Sequence, residues 1–217
     1  ATGLSGGNYT VTVTDANSCT ETASVTIAEP SALSAVPAST DITCLGAANG
    51  TATVNAGGGT PTYTYAWAPS GGTSSSASGL NAATYTVTIT DLNGCTTTAT
   101  SVVAEPAQVT ATLAASANVS CNGASDGSAS VTAGGGIPGY TYTWSPSGGN
   151  AANATGLGAG TYTVSVTDAN NCVVTNTFVI TQPATLTLSF NKKDVLCNAN
   201  CTGGVRAVVG GGASPYT

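Results

Sequence analysis

Seven cysteines stand at positions 19, 44, 95, 121, 172, 197 and 201 of the 217-residue chain. Cysteine serves metal ligation, redox exchange or disulfide cross-linking. The sequence holds no His and no Cys-x-x-Cys, which disfavours zinc ligation and dithiol redox chemistry. Cross-linking remains, and the spacing suggests its pattern. Cys44 and Cys95 are 51 residues apart, as are Cys121 and Cys172. The expected framework therefore pairs Cys44 with Cys95 and Cys121 with Cys172. A competing pattern pairs Cys19 with Cys44 and Cys95 with Cys121, across proline-bearing junctions. Under the first pattern the partners of Cys19 and Cys197 lie outside this stretch, and Cys201, in CNANC, is the odd thiol.

Three further groups are candidates for chemistry. Tyr63, Tyr65 and Trp67, with their copies Tyr140, Tyr142 and Trp144, would suit an aromatic platform for sugar rings. The competing reading makes them the buried face of a strand, in a chain where aromatics are only 6% of residues. The Asp-x-Asn pairs Asp15/Asn17, Asp91/Asn93 and Asp168/Asn170 offer oxygen ligands for Ca²⁺, but one carboxylate per site is thin. Asx-turn capping explains them better. The GGG runs at 57–59 and 134–136 have neither the Lys nor the following helix of a phosphate loop, and read as hinge or close-approach glycines. Sequons for N-glycosylation occur at Asn8, Asn49, Asn118, Asn153 and Asn200, at a density that an Asn- and Thr-rich chain produces by chance. No nucleophile–base pair is in view, so the expectation is a non-enzyme without cofactor or metal.

Composition narrows the partners. The three cations Lys192, Lys193 and Arg206 are too few to neutralise a nucleic-acid backbone. A net charge of −6 disfavours anionic membrane surfaces, and no apolar run reaches membrane-spanning length. Leu, Ile, Val and Phe number 10, 5, 20 and 2, a small share for a core. The polar surface is mostly Thr, Ser, Asn and Gly.

The elements that must position these residues recur. Cys19, Cys95 and Cys172 are 76 and 77 apart; Cys44, Cys121 and Cys197 are 77 and 76 apart; Trp67 and Trp144 are 77 apart. A period near 77 is long for a solenoid unit and suits a small domain. With junctions at AEPSA, AEPAQ and TQPAT, the chain reads as the C-terminal part of a repeat (1–30), complete repeats at 31–106 and 107–183, and the N-terminal part of another (184–217). The expected source is an interior piece of a longer exported protein.

Within each repeat the apolar period is two. Tyr85, Val87 and Ile89 alternate with threonines, as do Tyr162, Val164 and Val166. DANS, DLNG and DANN separate these segments from the alternation that follows each cysteine, a hairpin signal. TATVNAGGG, SASVTAGGG and the Tyr/Trp segments read as further strands. The predicted class is all-β: tandem small antiparallel β-sandwiches, immunoglobulin-like in architecture, as beads on a string. The order Cys44, Trp67, Cys95 is similar to that of immunoglobulin domains. The second Cys here, however, follows the hairpin turn instead of lying two residues beyond the Tyr.

The stretch CNGASDGSASVTAGGGIPGYTYTWSPSGG, followed by GTYTVSVTDANNC and ITQPA within 121–184, resembles the SprB repeat, and the likeness extends over every unit. The first repeat departs at CLGAANGTA, which lacks the counterpart of Asp126, and the last at CNANCTGG. The resemblance implies tandem placement in very large cell-surface proteins of Bacteroidetes, including a gliding-motility adhesin. It also implies export, often by the type IX pathway, and no catalytic residues. The expected function is thus a structural and adhesive segment of a long extracellular protein or fibre, stapled by one disulfide per repeat. Its expected partners are neighbouring repeats, other copies, or a surface polysaccharide. The alternatives are a glycan-binding module with one aromatic site per repeat, and a spacer for a distant enzymatic domain.

Overall fold

The computed structural model describes residues 1–196 and 201–217, and among these every regular element is a β-strand. The chain forms two compact units: residues 1–42 with 46–105, and residues 43–45 with 106–217. The all-β expectation holds.

The first unit opens with a two-stranded hairpin, β1 (Gly7–Thr14) and β2 (Thr20–Ile27). A six-stranded body follows: β3 (Ser34–Thr40), β4 (Gly50–Gly57), β5 (Thr64–Ala68), β6 (Ser76–Leu80), β7 (Ala83–Thr90) and β8 (Thr96–Val103). One sheet has the order β3-β4-β6 and the other β5-β7-β8, all neighbours antiparallel. β7 shows how the sequence builds this. Tyr85, Val87 and Ile89 are buried because alternate side chains of a strand share a face. They meet Ala52 and Val54 of β4, with Trp67, Leu80 and Val103 completing the core. Pro37 lies in β3 opposite Val54, on an edge strand where its missing N–H costs no ladder bond.

The second unit repeats the plan with β9 (Thr110–Ala117), β10 (Gly127–Gly134), β11 (Thr141–Ser145), β12 (Asn153–Leu157), β13 (Gly160–Thr167) and β14 (Val173–Ile180). Its sheets run β12-β10-β9 and β11-β13-β14. The core gathers Val131, Trp144, Leu157, Tyr162, Val164 and Val166 with their neighbours, and the Trp144 and Phe178 rings lie 5.9 Å apart, tilted by 42°. The unit closes with the hairpin β15 (Thr187–Lys193) and β16 (Gly204–Gly210).

Large side chains are scarce, so glycine sets the closeness of packing. A Cβ on Gly50 would lie 2.5 Å from Val103 Cγ1, and one on Gly127 would lie 2.8 Å from the Leu157 carbonyl and 2.9 Å from Ile180 Cγ2. Any side chain there would force the sheets apart.

Candidate functional site

The Asp-x-Asn-x-Cys turns of the two units hold buried carboxylates. In the second unit Asp168 is only 4% exposed. Its Oδ1 accepts the backbone N–H groups of Asn170 (2.9 Å) and Cys172 (2.8 Å), and its Oδ2 accepts that of Ile137 (2.9 Å). In the first unit Asp91, 6% exposed, accepts from Asn93, Cys95 and Thr60 at 3.0, 2.8 and 2.8 Å. Three N–H donors favour the charged carboxylate, so both groups sit below their ordinary value. The backbone N–H of Ile137 is the largest cause for Asp168, and that of Thr60 for Asp91, each opposed in part by desolvation. The Asx-turn reading therefore describes these residues, and each carboxylate also ties its turn to the glycine loop. Among the described residues no cluster of His, Cys, Asp or Glu could hold a metal ion.

The GGG runs are close-approach glycines. Gly136 has φ of +57°, and a Cβ on it would lie 2.3 Å from Asp168 Oδ2; Gly59, at +59°, would meet Asp91 Oδ2 at 2.7 Å. The absence of side chains lets the loop lie against the carboxylate. It also lets Gly136 N–H reach the Ala107 carbonyl at 2.8 Å, and Gly59 N–H the Ser31 carbonyl at 2.7 Å. The start of each repeat is thereby fastened beside its Asp-x-Asn-x-Cys turn. Asp126, absent from the first repeat, is held low by the hydroxyl and backbone N–H of Ser120, the latter at 3.0 Å.

The cysteines correct the sequence reading. The disulfide joins Cys44 to Cys172, with a Cα–Cα distance of 5.7 Å, while Cys95 and Cys121 are free and exposed. Neither Cys44–Cys95 nor Cys121–Cys172 forms, and neither does Cys19–Cys44 or Cys95–Cys121. Strand geometry gives the reason. Cys95 immediately precedes β8, whereas Ile42, two residues before Cys44, donates to the Ala104 carbonyl just beyond the end of β8. Eight residues of extended strand separate those two points by about 25 Å. A disulfide tolerates no more than about 7 Å between Cα atoms. The second repeat is built alike: Cys172 immediately precedes β14, and Val119, close to Cys121, donates to the Thr181 carbonyl just beyond it. Each repeat thus carries its two cysteines at opposite poles.

The bonded pair lies wholly in the second unit, which includes residues 43–45. The Asn170 side-chain amide donates to the Thr43 carbonyl at 3.0 Å, holding the segment that presents Cys44. Its counterpart Asn93 donates instead to Thr60 Oγ1 at 2.9 Å. This holding role for the Asn of the turn had no sequence signal beyond the turn itself. Cys19 and Cys201 are also free and exposed; Cys197, and the sequon at Asn200, lie outside the described residues.

Trp67 and Trp144 are buried, and their Nε1–H groups donate to the Ser74 and Ala151 carbonyls, both at 2.9 Å. Tyr63, Tyr65, Tyr140 and Tyr142 are half-buried and pack against the two cores. Tyr63 Oη donates to the Gly58 carbonyl, and Tyr140 Oη to that of Gly135. These rings brace the glycine loop.

Two stretches of the chain, residues 37–73 and 113–149, match the family model described as the SprB repeat. Each begins within the first strand of a six-stranded body and runs just past the Trp-bearing strand. No curated protein matches the chain.

Proposed function

From two tandem stretches that match the SprB repeat, we propose a non-catalytic, structural and adhesive segment of a large extracellular surface protein of Bacteroidetes. The observation that carries this reading is the recurrence of one family repeat at residues 37–73 and 113–149. Three physical features support it. The polar groups of the turns are spent on backbone hydrogen bonds, which leaves no activated nucleophile among them. A disulfide is the cross-link of oxidising, extracytoplasmic compartments. The only formally cationic side chains are three residues at 192, 193 and 206, so contact with other surfaces rests on neutral hydrogen-bonding groups.

The test has two parts. Antibody raised against this segment should label intact cells, and external protease should remove the label without lysis. Cells expressing the parent protein without residues 31–183 should then adhere less to glass and to polysaccharide-coated surfaces. Label appearing only after lysis overturns the location, and unchanged adhesion overturns the adhesive role.

A further inference from the structure

The bonded and the free cysteines stand in the same local structure. Cys44 and Cys121 occupy equivalent loops. Before Cys44, Asp41 Oδ1 accepts the Ala104 N–H at 2.8 Å, and after it Gly46 turns the chain at φ of +73°. Before Cys121, Asn118 Oδ1 accepts the Thr181 N–H at 2.9 Å, and after it Gly123 turns the chain at +79°. Ile42 and Val119 complete the match, their N–H groups donating to the Ala104 and Thr181 carbonyls at 3.1 and 3.2 Å.

The turn cysteines match as closely. Cys19, Cys95 and Cys172 each donate N–H to Oδ1 of the Asp four residues before, at 2.8 Å in all three. Each carbonyl accepts the N–H of that same Asp, at 2.9, 2.9 and 3.0 Å. Local shape therefore does not decide which sulfur is bonded. The bond runs forward, from Cys44, the loop cysteine of repeat 31–106, to Cys172, the turn cysteine of repeat 107–183. Within one repeat the loop and turn cysteines stand about 25 Å apart along an eight-residue strand and cannot close on each other. A loop cysteine needs the turn of the next repeat, and a turn cysteine needs the loop of the one before.

We propose, resting on the reading of this chain as a segment of a larger surface protein, that this forward disulfide recurs at every repeat. Cys121 pairs with the turn cysteine of the repeat that follows, and Cys95 with the loop cysteine of the repeat that precedes. Each pair has a separation near the 128 residues of Cys44–Cys172. The Asn of the turn is the positioning residue: the Asn170 amide holds the Thr43 carbonyl beside Cys44 at 3.0 Å, and Asn17 and Asn93 stand at the same place in the other turns. Each bond forms by thiol–disulfide exchange with an extracytoplasmic protein disulfide. One cysteine thiolate attacks that disulfide, and the second displaces the oxidant from the mixed disulfide. The two thiols release two protons and pass two electrons to the oxidant, which departs as a dithiol. Because each bond spans 128 residues against a period near 77, consecutive bonds overlap and the array is cross-linked without a gap.

The parent protein, alkylated on intact cells, then isolated and digested without reduction, tests this by mass spectrometry. The expected map links Cys121 to a turn-cysteine peptide of the following repeat and Cys95 to a loop-cysteine peptide of the preceding one, with neither alkylated. Cys121→Ser in the parent leaves the Cys44–Cys172 peptide intact and adds one alkylated thiol, in the turn of the following repeat. A Cys95–Cys121 peptide, or a new thiol anywhere else in that variant, overturns the proposal. The Cys44–Cys172 bond separates two kinds of failure. If it is present while Cys95 and Cys121 are alkylated, the proposal alone falls; if every cysteine is reduced, the extracellular reading falls with it.

Discussion

Asp168 and Cys172 are joined twice: Asp168 Oδ1 accepts the Cys172 N–H at 2.8 Å, and the Asp168 N–H donates to the Cys172 carbonyl at 3.0 Å. The carboxylate that folds the turn therefore also fixes where the sulfur leaves the hairpin. Its second oxygen, bound to Ile137 N–H, ties the same turn to the glycine loop and hence to the start of the repeat. Turn, loop and cross-link form one device.

This device makes stability depend on acid. Asp91 and Asp168 titrate below their ordinary value of 3.8 when folded. Their contribution is therefore complete above that value and is lost as the pH falls through the lower folded value. Denaturant midpoints should be level from neutral pH down to about 4 and then decline. Asp168→Asn should lower the melting temperature at neutral pH and flatten the acid decline of the second unit.

Cys172→Ser should free Cys44 for alkylation and destabilise the second unit. The bond closes a sequence separation of 128 residues, so the loss is about 5 kcal/mol on loop-entropy grounds. Peptide mapping of the unreduced parent should yield Cys44 linked to Cys172; a Cys44–Cys95 peptide would refute the connectivity.

Two glycine substitutions separate crowding from backbone strain. Gly135 has φ of +66°, and a Cβ there would lie 1.8 Å from the Gln108 carbonyl oxygen. Gly72, at +82°, has nothing within 4 Å. Gly72→Ala should cost only the left-handed penalty of about 1–2 kcal/mol. Gly135→Ala should cost clearly more, because a backbone carbonyl cannot swing away. Melting curves of the two variants compare them directly.

The tryptophans report on the aromatic strands. Buried Trp67 and Trp144 should emit at short wavelength and resist acrylamide quenching, with no change when polysaccharide is added. Trp144→Ala should cost about 3–5 kcal/mol, seen as a lowered denaturant midpoint.

Much of this fold was legible because some strands alternate strongly. Tyr162, Val164 and Val166 announce β13, and the Asx residues after them announce the turn. β3 (SAVPAST) and β6 (SASGL) carry no such signal: small residues, a proline or only five positions leave no period-two pattern, and both are defined by their pairing with β4. The disulfide was illegible for a different reason. Cys95 and Cys172 are separated by one repeat, so a periodic sequence assigns Cys44 to either with equal force. Only the extended length of β8 decides between them.

The cysteines at opposite poles also change what a cut in the chain would do. Because Cys44 is bonded to Cys172, residues 44–172 form a closed covalent ring. The Glu105–Pro106 junction lies inside that ring, so one cleavage there leaves both halves on a single molecule. A pull on the two ends would pass through the sulfur bridge and leave that junction slack.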